Sequence, residues 1–121
     1  MCIRDSTNII HTIFANNIKL SGIAHITGGG LIENIPRILP KKLSALVSKK
    51  TWTIPPIFSL LQKIGDIEES EMFRVFNMGI GMVLISDDEA CEAIKEIMKD
   101  FIDVYDIGTI IRGNREVLFN E

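Results

Sequence analysis

A chain of 121 residues, 46% hydrophobic and 24% charged, can bury a continuous core but is too short for a two-domain enzyme with a complete nucleotide site. Its net charge is −3 and its Lys and Arg residues are scattered along the sequence, so it lacks the basic stripe of a nucleic-acid binder. No apolar run approaches the roughly 20 residues that cross a bilayer. Cys2 and Cys91 stand far apart without metal-ligand spacing and no signal peptide precedes them, so a reduced, cytoplasmic setting is expected.

Met1 to Ser6 show no period and are read as a truncation edge or assembly scar without function. From Thr7 the pattern is helical: Thr7 can cap, and Ile9, Ile10, Ile13 and Phe14 share a face before Asn16-Asn17 stops the run. Gly22 to Thr27 reads as a short strand running into Gly28-Gly29-Gly30. Leu31, Ile32, Ile35 and Ile38 then follow helical spacing, with Pro36 and Pro40 limiting that helix to about two turns. Ala45 to Val47 and Trp52 to Ile54 are expected to be extended. Pro55-Pro56 presets a helix whose apolar residues Ile57, Leu60, Leu61 and Ile64 face one way, with Gly65 as its stop.

A short helix is expected over Ser70 to Val75, and Phe76 to Ile85 is apolar almost throughout, as a buried strand is. Ser86-Asp87-Asp88-Glu89 has the form of a capping box, and Ala90, Ile94, Ile97, Met98 and Phe101 continue it as an amphipathic helix. Tyr105 to Ile111 and Glu116 to Phe119 read as a hairpin around Gly113-Asn114. Interleaved helices and strands closing on a hairpin imply an α/β (α+β) domain, layered, with a mixed β-sheet flanked by helices.

The feature with chemical content is Ala24-His25-Ile26-Thr27-Gly28-Gly29-Gly30. Glycines lack Cβ atoms, so backbone N–H groups can converge on an anion where such a run opens a helix. On the triplet alone the default reading is a tight strand-to-helix turn. The spacing matches neither the P-loop nor G-x-G-x-x-G, so it names no ligand. His25 can donate to a phosphate or carbonyl or move a proton near neutral pH; a lone His in an apolar strand is more often structural. Thr27 offers a hydroxyl or a cap. Asn34 and Arg37, three apart, are expected on one helix face, Arg37 suiting a phosphate or a surface ion pair. Asn77, Gly79 and Gly81 precede and punctuate the expected strand, where two glycines spaced by two leave room for a ligand or for packing. Glu68, Glu69 and Glu71 read as a solvated helix face, and no metal site is assigned.

His25-Ile26-Thr27-Gly28-Gly29-Gly30, with Glu33-Asn34-Ile35-Pro36-Arg37 and Leu39-Pro40 after it, resembles the signature of the phosphoribosylformylglycinamidine cyclo-ligase (aminoimidazole ribonucleotide synthetase) family. Trp52, Pro55, Phe58, Leu61-Gln62, Gly65, Glu71-Met72-Phe73-Arg74-Val75-Phe76-Asn77-Met78-Gly79-Ile80-Gly81-Met82 and Ile107-Gly108 are similar to the same family in the same order. The resemblance covers the chain from about Thr7 and implies that residues 7–121 are a carboxy-terminal domain whose amino-terminal, ATP-binding partner domain is missing, after a non-family leader at 1–6. It implies ATP-dependent cyclisation of formylglycinamidine ribonucleotide to aminoimidazole ribonucleotide in purine biosynthesis, with this piece inactive alone.

It further implies ATP and Mg2+ held mainly by the missing domain and a homodimer of the complete enzyme, with neither nucleic acid nor membrane as partner. His25 is then the catalytic candidate. Thr27, Gly28, Gly29, Gly30, Asn34, Arg37, Asn77, Gly79 and Gly81 are the substrate- or phosphate-binding ones. The alternatives are a related ATP-binding enzyme, of the formylglycinamidine ribonucleotide synthetase, selenophosphate synthetase or hydrogenase-maturation dehydratase type, or a non-catalytic nucleotide-binding remnant.

Overall fold

The computed structural model describes residues 3–120, with side chains from residue 8 onward. Its elements run α1 (Ile3–Ala15), β1 (Gly22–His25), α2 (Gly30–Asn34), a 3₁₀ turn (Pro36–Ile38), β2 (Leu43–Ser48), α3 (Pro56–Gly65), α4 (Glu69–Val75), β3 (Met82–Ile85), α5 (Asp88–Met98), β4 (Gly108–Arg112) and β5 (Val117–Asn120). This is the mixed α/β class expected. Two compact units divide the chain, one from the stretch up to Ile23 together with Leu84–Asp106, the other from Ala24–Val83 together with the stretch from Ile107 on. β1 and β3 form a two-stranded sheet.

In the first unit, Ile13 and Ile18 pack with Ile94 and Met98 of α5, surrounded by Ile9, Leu20, Leu84, Ala90, Ala93, Ile97, Ile102 and Val104. Helix α1 begins four residues before Thr7, because polar residues carry no apolar period yet propagate a helix readily once it is nucleated. Helix α5 starts as read, except that the cap is Asp87: its carboxylate accepts from Ala90 N–H at 2.8 Å. It ends at Met98, so Phe101 is not a core residue but stands 76% exposed.

The second unit is built on a three-stranded sheet of order β4-β2-β5. β2 runs antiparallel to β4, with Ala45 opposite Ile110, and parallel to β5, with Ala45 opposite Val117. The expected hairpin is therefore incorrect: β2 lies between its two strands. Residues 113–116 cross the start of β2, with Gly113 and Arg115 N–H bonded to the carbonyls of Lys42 and Leu43. Two strand spacings are about 9.5 Å, within reach of four extended residues at roughly 3.3 Å each. The left-handed residue there is Arg115 at φ 62°, not Asn114, so the Gly-Asn pair does not form the two-residue turn that it suggested.

Two other expectations need correction. Trp52 to Ile54 is not a strand; Trp52 is buried, its indole N–H donating to the Met78 carbonyl at 3.1 Å and its ring lying edge-on to Phe73. The strand expected from Phe76 begins only at Met82, because Met78 (φ 54°) and Gly79 (φ 97°) turn left-handed and interrupt the extended run. Helix α3 forms as read, but Gly65 is its last helical residue and Asp66 takes the left-handed cap. Its apolar side is open: Ile57, Leu60, Leu61 and Ile64 are 53, 51, 37 and 75% exposed.

Candidate functional site

Strand β1 places its residues alternately, and Ala24 and Ile26 are buried while His25 between them is exposed. The imidazole is thus presented to solvent, at the end of the strand, just ahead of the glycine turn. Gly28 and Gly29 form that turn, and Gly30 opens α2. Gly29 and Gly30 both have positive φ, 97° and 61°. A Cβ on Gly30 would meet the backbone carbonyl oxygens of Phe73 and Phe76, and one on Gly29 would meet the Glu33 side chain. Glycine is required at Gly30 because two stretches of backbone approach too closely for any side chain. A Cβ on Gly28, by contrast, would have nothing within 4 Å.

Asn34 holds the turn from inside. It is buried, and its amide nitrogen donates to the carbonyls of Gly30 at 2.7 Å, Thr27 at 3.3 Å and Gly28 at 3.3 Å, while its oxygen accepts from the Thr27 hydroxyl at 3.3 Å. With the carbonyls drawn inward to one amide, the N–H groups are left to face elsewhere. Among the described residues, Gly30 N–H is bonded to the Thr27 carbonyl at 3.0 Å, while those of Gly28, Gly29, Leu31 and Ile32 have no protein acceptor. Thr27 and Asn34 thus act on each other, and α2 has no side-chain cap.

Asn34 and Arg37 do not share a face as the spacing suggested. Pro36 ends the α-helix, so Arg37 falls in the 3₁₀ turn and is exposed whereas Asn34 is buried. The second group lies beside the first: Ile26 N–H donates to the Gly81 carbonyl at 3.0 Å, and Phe76, next to Asn77, supplies a carbonyl against Gly30. Asn77 and Gly79 belong to a turn rather than to a strand face, and Gly81 lies between that turn and β3. The Asn77 carboxamide oxygen accepts from Gly79 N–H at 2.9 Å, and Gly79 packs so closely on Pro55 that a Cβ would collide with that ring. Trp52 and Pro55 therefore support the turn, though each is far from it in sequence and no local pattern pointed to that role. Among the described residues, no three His, Cys, Asp or Glu residues converge as metal ligands.

Comparison with known proteins adds to this geometry. The chain is similar to phosphoribosylformylglycinamidine cyclo-ligases: it is 50% identical over 102 residues to that of Caldanaerobacter subterraneus subsp. tengcongensis, and 52% identical over 102 residues to that of Caldicellulosiruptor saccharolyticus. The relative from Thermoanaerobacter sp. strain X514 is 50% identical over 105 residues. Each match covers 84% of this chain but only 30% of the relative, so the chain spans about a third of the length of the curated relatives it matches. The family described as AIR synthase related protein, C-terminal domain, matches residues 7–120, and with nearly the whole chain matched, the protein belongs to that family.

Proposed function

We propose that this chain works as the carboxy-terminal part of a phosphoribosylformylglycinamidine cyclo-ligase, the enzyme that converts formylglycinamidine ribonucleotide and ATP to aminoimidazole ribonucleotide, ADP and phosphate. The observation that carries this reading is an identity of about half, over 84% of the chain, with relatives bearing that name. The open apolar side of α3 also supports a piece that works against further polypeptide. On this reading ATP and Mg2+ are held mainly by that further polypeptide, and the complete protein is a cytoplasmic homodimer. No helix among the described residues is long and apolar enough to cross a membrane.

The reaction replaces a poor leaving group. Transfer of the terminal phosphoryl group to the formyl amide oxygen lets that oxygen depart as phosphate when the amidine nitrogen bonds to the same carbon, and a proton is lost as the ring becomes aromatic. Such chemistry needs placement and charge neutralisation more than a covalent nucleophile. The unbonded amides of Gly28, Gly29, Leu31 and Ile32 offer donors for an anionic group on the reacting side. On this reading His25, exposed at the strand end, holds or moves a proton beside it. Asn34 and Thr27 keep the carbonyls of the turn away from the anion, and the segment carrying Asn77, Gly79 and Gly81 walls the same site. Arg37 stands exposed beyond Pro36. Among the described residues no cluster of His, Cys, Asp or Glu suits Mg2+.

A hybrid tests the reading: this chain replaces the matching region of the Caldanaerobacter relative, and ADP and aminoimidazole ribonucleotide are measured after adding formylglycinamidine ribonucleotide and ATP. Substrate-dependent turnover is expected, lowered by His25→Ala. A hybrid that folds cooperatively yet releases no ADP in response to the ribonucleotide contradicts the proposal.

A further inference from the structure

Five of the chain's 13 Lys and Arg residues are drawn together in the second unit by a connection that the sequence did not reveal. The link between β4 and β5 crosses the start of β2, so Gly113 N–H bonds to the Lys42 carbonyl at 3.0 Å and Arg115 N–H to the Leu43 carbonyl at 2.9 Å. Arg112 stands opposite Leu43 in the sheet. From the same link the Arg115 side chain reaches the 3₁₀ turn, its Nε donating to the Pro36 carbonyl at 2.9 Å, beside Arg37. Lys41, Lys42, Arg37, Arg112 and Arg115 are all exposed. Among the described residues, none of the five is within 4.0 Å of a carboxylate, whereas Lys49, Arg74, Lys95 and Lys99 all are.

Arg115 itself is strained. It holds a left-handed backbone at φ 62°, directly after Asn114, a residue that adopts this conformation more readily. A non-glycine residue kept in that region points to a role for its side chain. Here one donor of the guanidinium is committed to Pro36, which ties the group to the 3₁₀ turn, and among the described residues its four Nη hydrogens have no acceptor. A tethered guanidinium with a free pair of parallel donors matches the oxygens of a phosphate.

We propose that Arg115, with Arg37 and Lys42 beside it and Lys41 and Arg112 at its rim, seats a phosphomonoester dianion such as the 5-phosphate of a sugar phosphate. This seat uses none of the amides of the glycine turn and does not depend on which reaction the whole protein performs. Ribose 5-phosphate, inorganic phosphate and ribose, titrated calorimetrically into the chain at constant ionic strength, test it, together with the variants Arg115→Gly and Arg115→Lys. Glycine suits the backbone at φ 62°, so Arg115→Gly should melt no lower than the parent.

Ribose 5-phosphate is expected to bind and ribose not. Arg115→Gly should weaken binding by roughly tenfold or more, the loss of one charge-assisted hydrogen-bonded contact. Arg115→Lys should also weaken binding, since an ammonium lacks the fork. Equal affinity for inorganic phosphate would assign the seat to phosphate alone, and tighter binding of the ester to sugar phosphates. Both outcomes uphold the shared chemistry. Affinity unchanged in Arg115→Gly, or no saturable binding of either phosphate, overturns it.

Discussion

Replacing the glycines of Gly28-Gly29-Gly30 by alanine one at a time should separate the geometry of this turn from its mere flexibility. Gly30 lies at φ 61°, and a methyl group there meets the carbonyl oxygens of Phe73 and Phe76, which are backbone and cannot swing aside. The left-handed conformation costs an L residue about 1–2 kcal/mol, and overpacking against fixed atoms adds about 1–3 kcal/mol. The sum for Gly30→Ala is about 2–5 kcal/mol, a large part of the roughly 5–15 kcal/mol that keeps a domain folded. At roughly 4 °C per kcal/mol for a chain of this size, melting falls by about 8–20 °C.

Gly29→Ala is milder, because the atom in its way belongs to the Glu33 side chain, which can move, leaving the cost of positive φ, about 1–2 kcal/mol. Gly28→Ala meets nothing within 4 Å and should lie within about 0.5 kcal/mol of the parent, or gain up to about 1 kcal/mol from a stiffer unfolded chain. Thermal melts followed by circular dichroism, with urea titrations for the free energies, give the order. The reasoning fails if Gly30→Ala melts with the parent or if Gly28→Ala falls as far as Gly30→Ala.

Other substitutions probe the supports. Asn34→Ala leaves three carbonyls of the turn without their shared donor and should cost about 2–3 kcal/mol in urea unfolding; a loss under about 0.5 kcal/mol would show that the amide does not hold the turn. Asp87→Ala removes the bond to Ala90 N–H and should cost about 1 kcal/mol, read from the same titration. Leu60→Ser with Ile64→Ser falls on the open side of α3, so the isolated chain should keep its stability within about 0.5 kcal/mol per site. A drop as large as that of Ile13→Ala, about 2–5 kcal/mol for a fully buried position, would mean that the α3 side is covered after all.

Where the sequence was legible, a local pattern carried the information. The acidic cap and apolar spacing of α5, the proline start of α3 and the strand running into the glycine turn can each be read within a dozen residues, since capping and periodicity are short-range effects. The departures arise between distant segments. Nothing near Gly113 tells that β2 will enter between the two flanking strands; that follows from packing Ala45 and Val47 in the middle of a sheet. An apolar run from Phe76 suggested one long strand, yet the indole of Trp52 binds the Met78 carbonyl and Pro55 presses on Gly79, contacts more than 20 residues away that favour a turn.

The candidate site was legible in composition but not in roles. Asn34 and Arg37, side by side in a helical projection, are separated by the break at Pro36, one turned inward to the loop and the other left to solvent. Arg115 carried no local signal, since its significance comes from reaching Pro36, 79 positions earlier.

The claim on which the site rests is that the amides of Gly28 and Gly29 are free to receive an anion. With nine glycines in the chain, a 15N-glycine-labelled sample gives a spectrum simple enough to follow each amide while pyrophosphate is added at constant ionic strength. Saturable shifts at Gly28 and Gly29, with Gly65 unmoved, are predicted. Unchanged Gly28 and Gly29 resonances, or a uniform drift of all nine, would contradict the account.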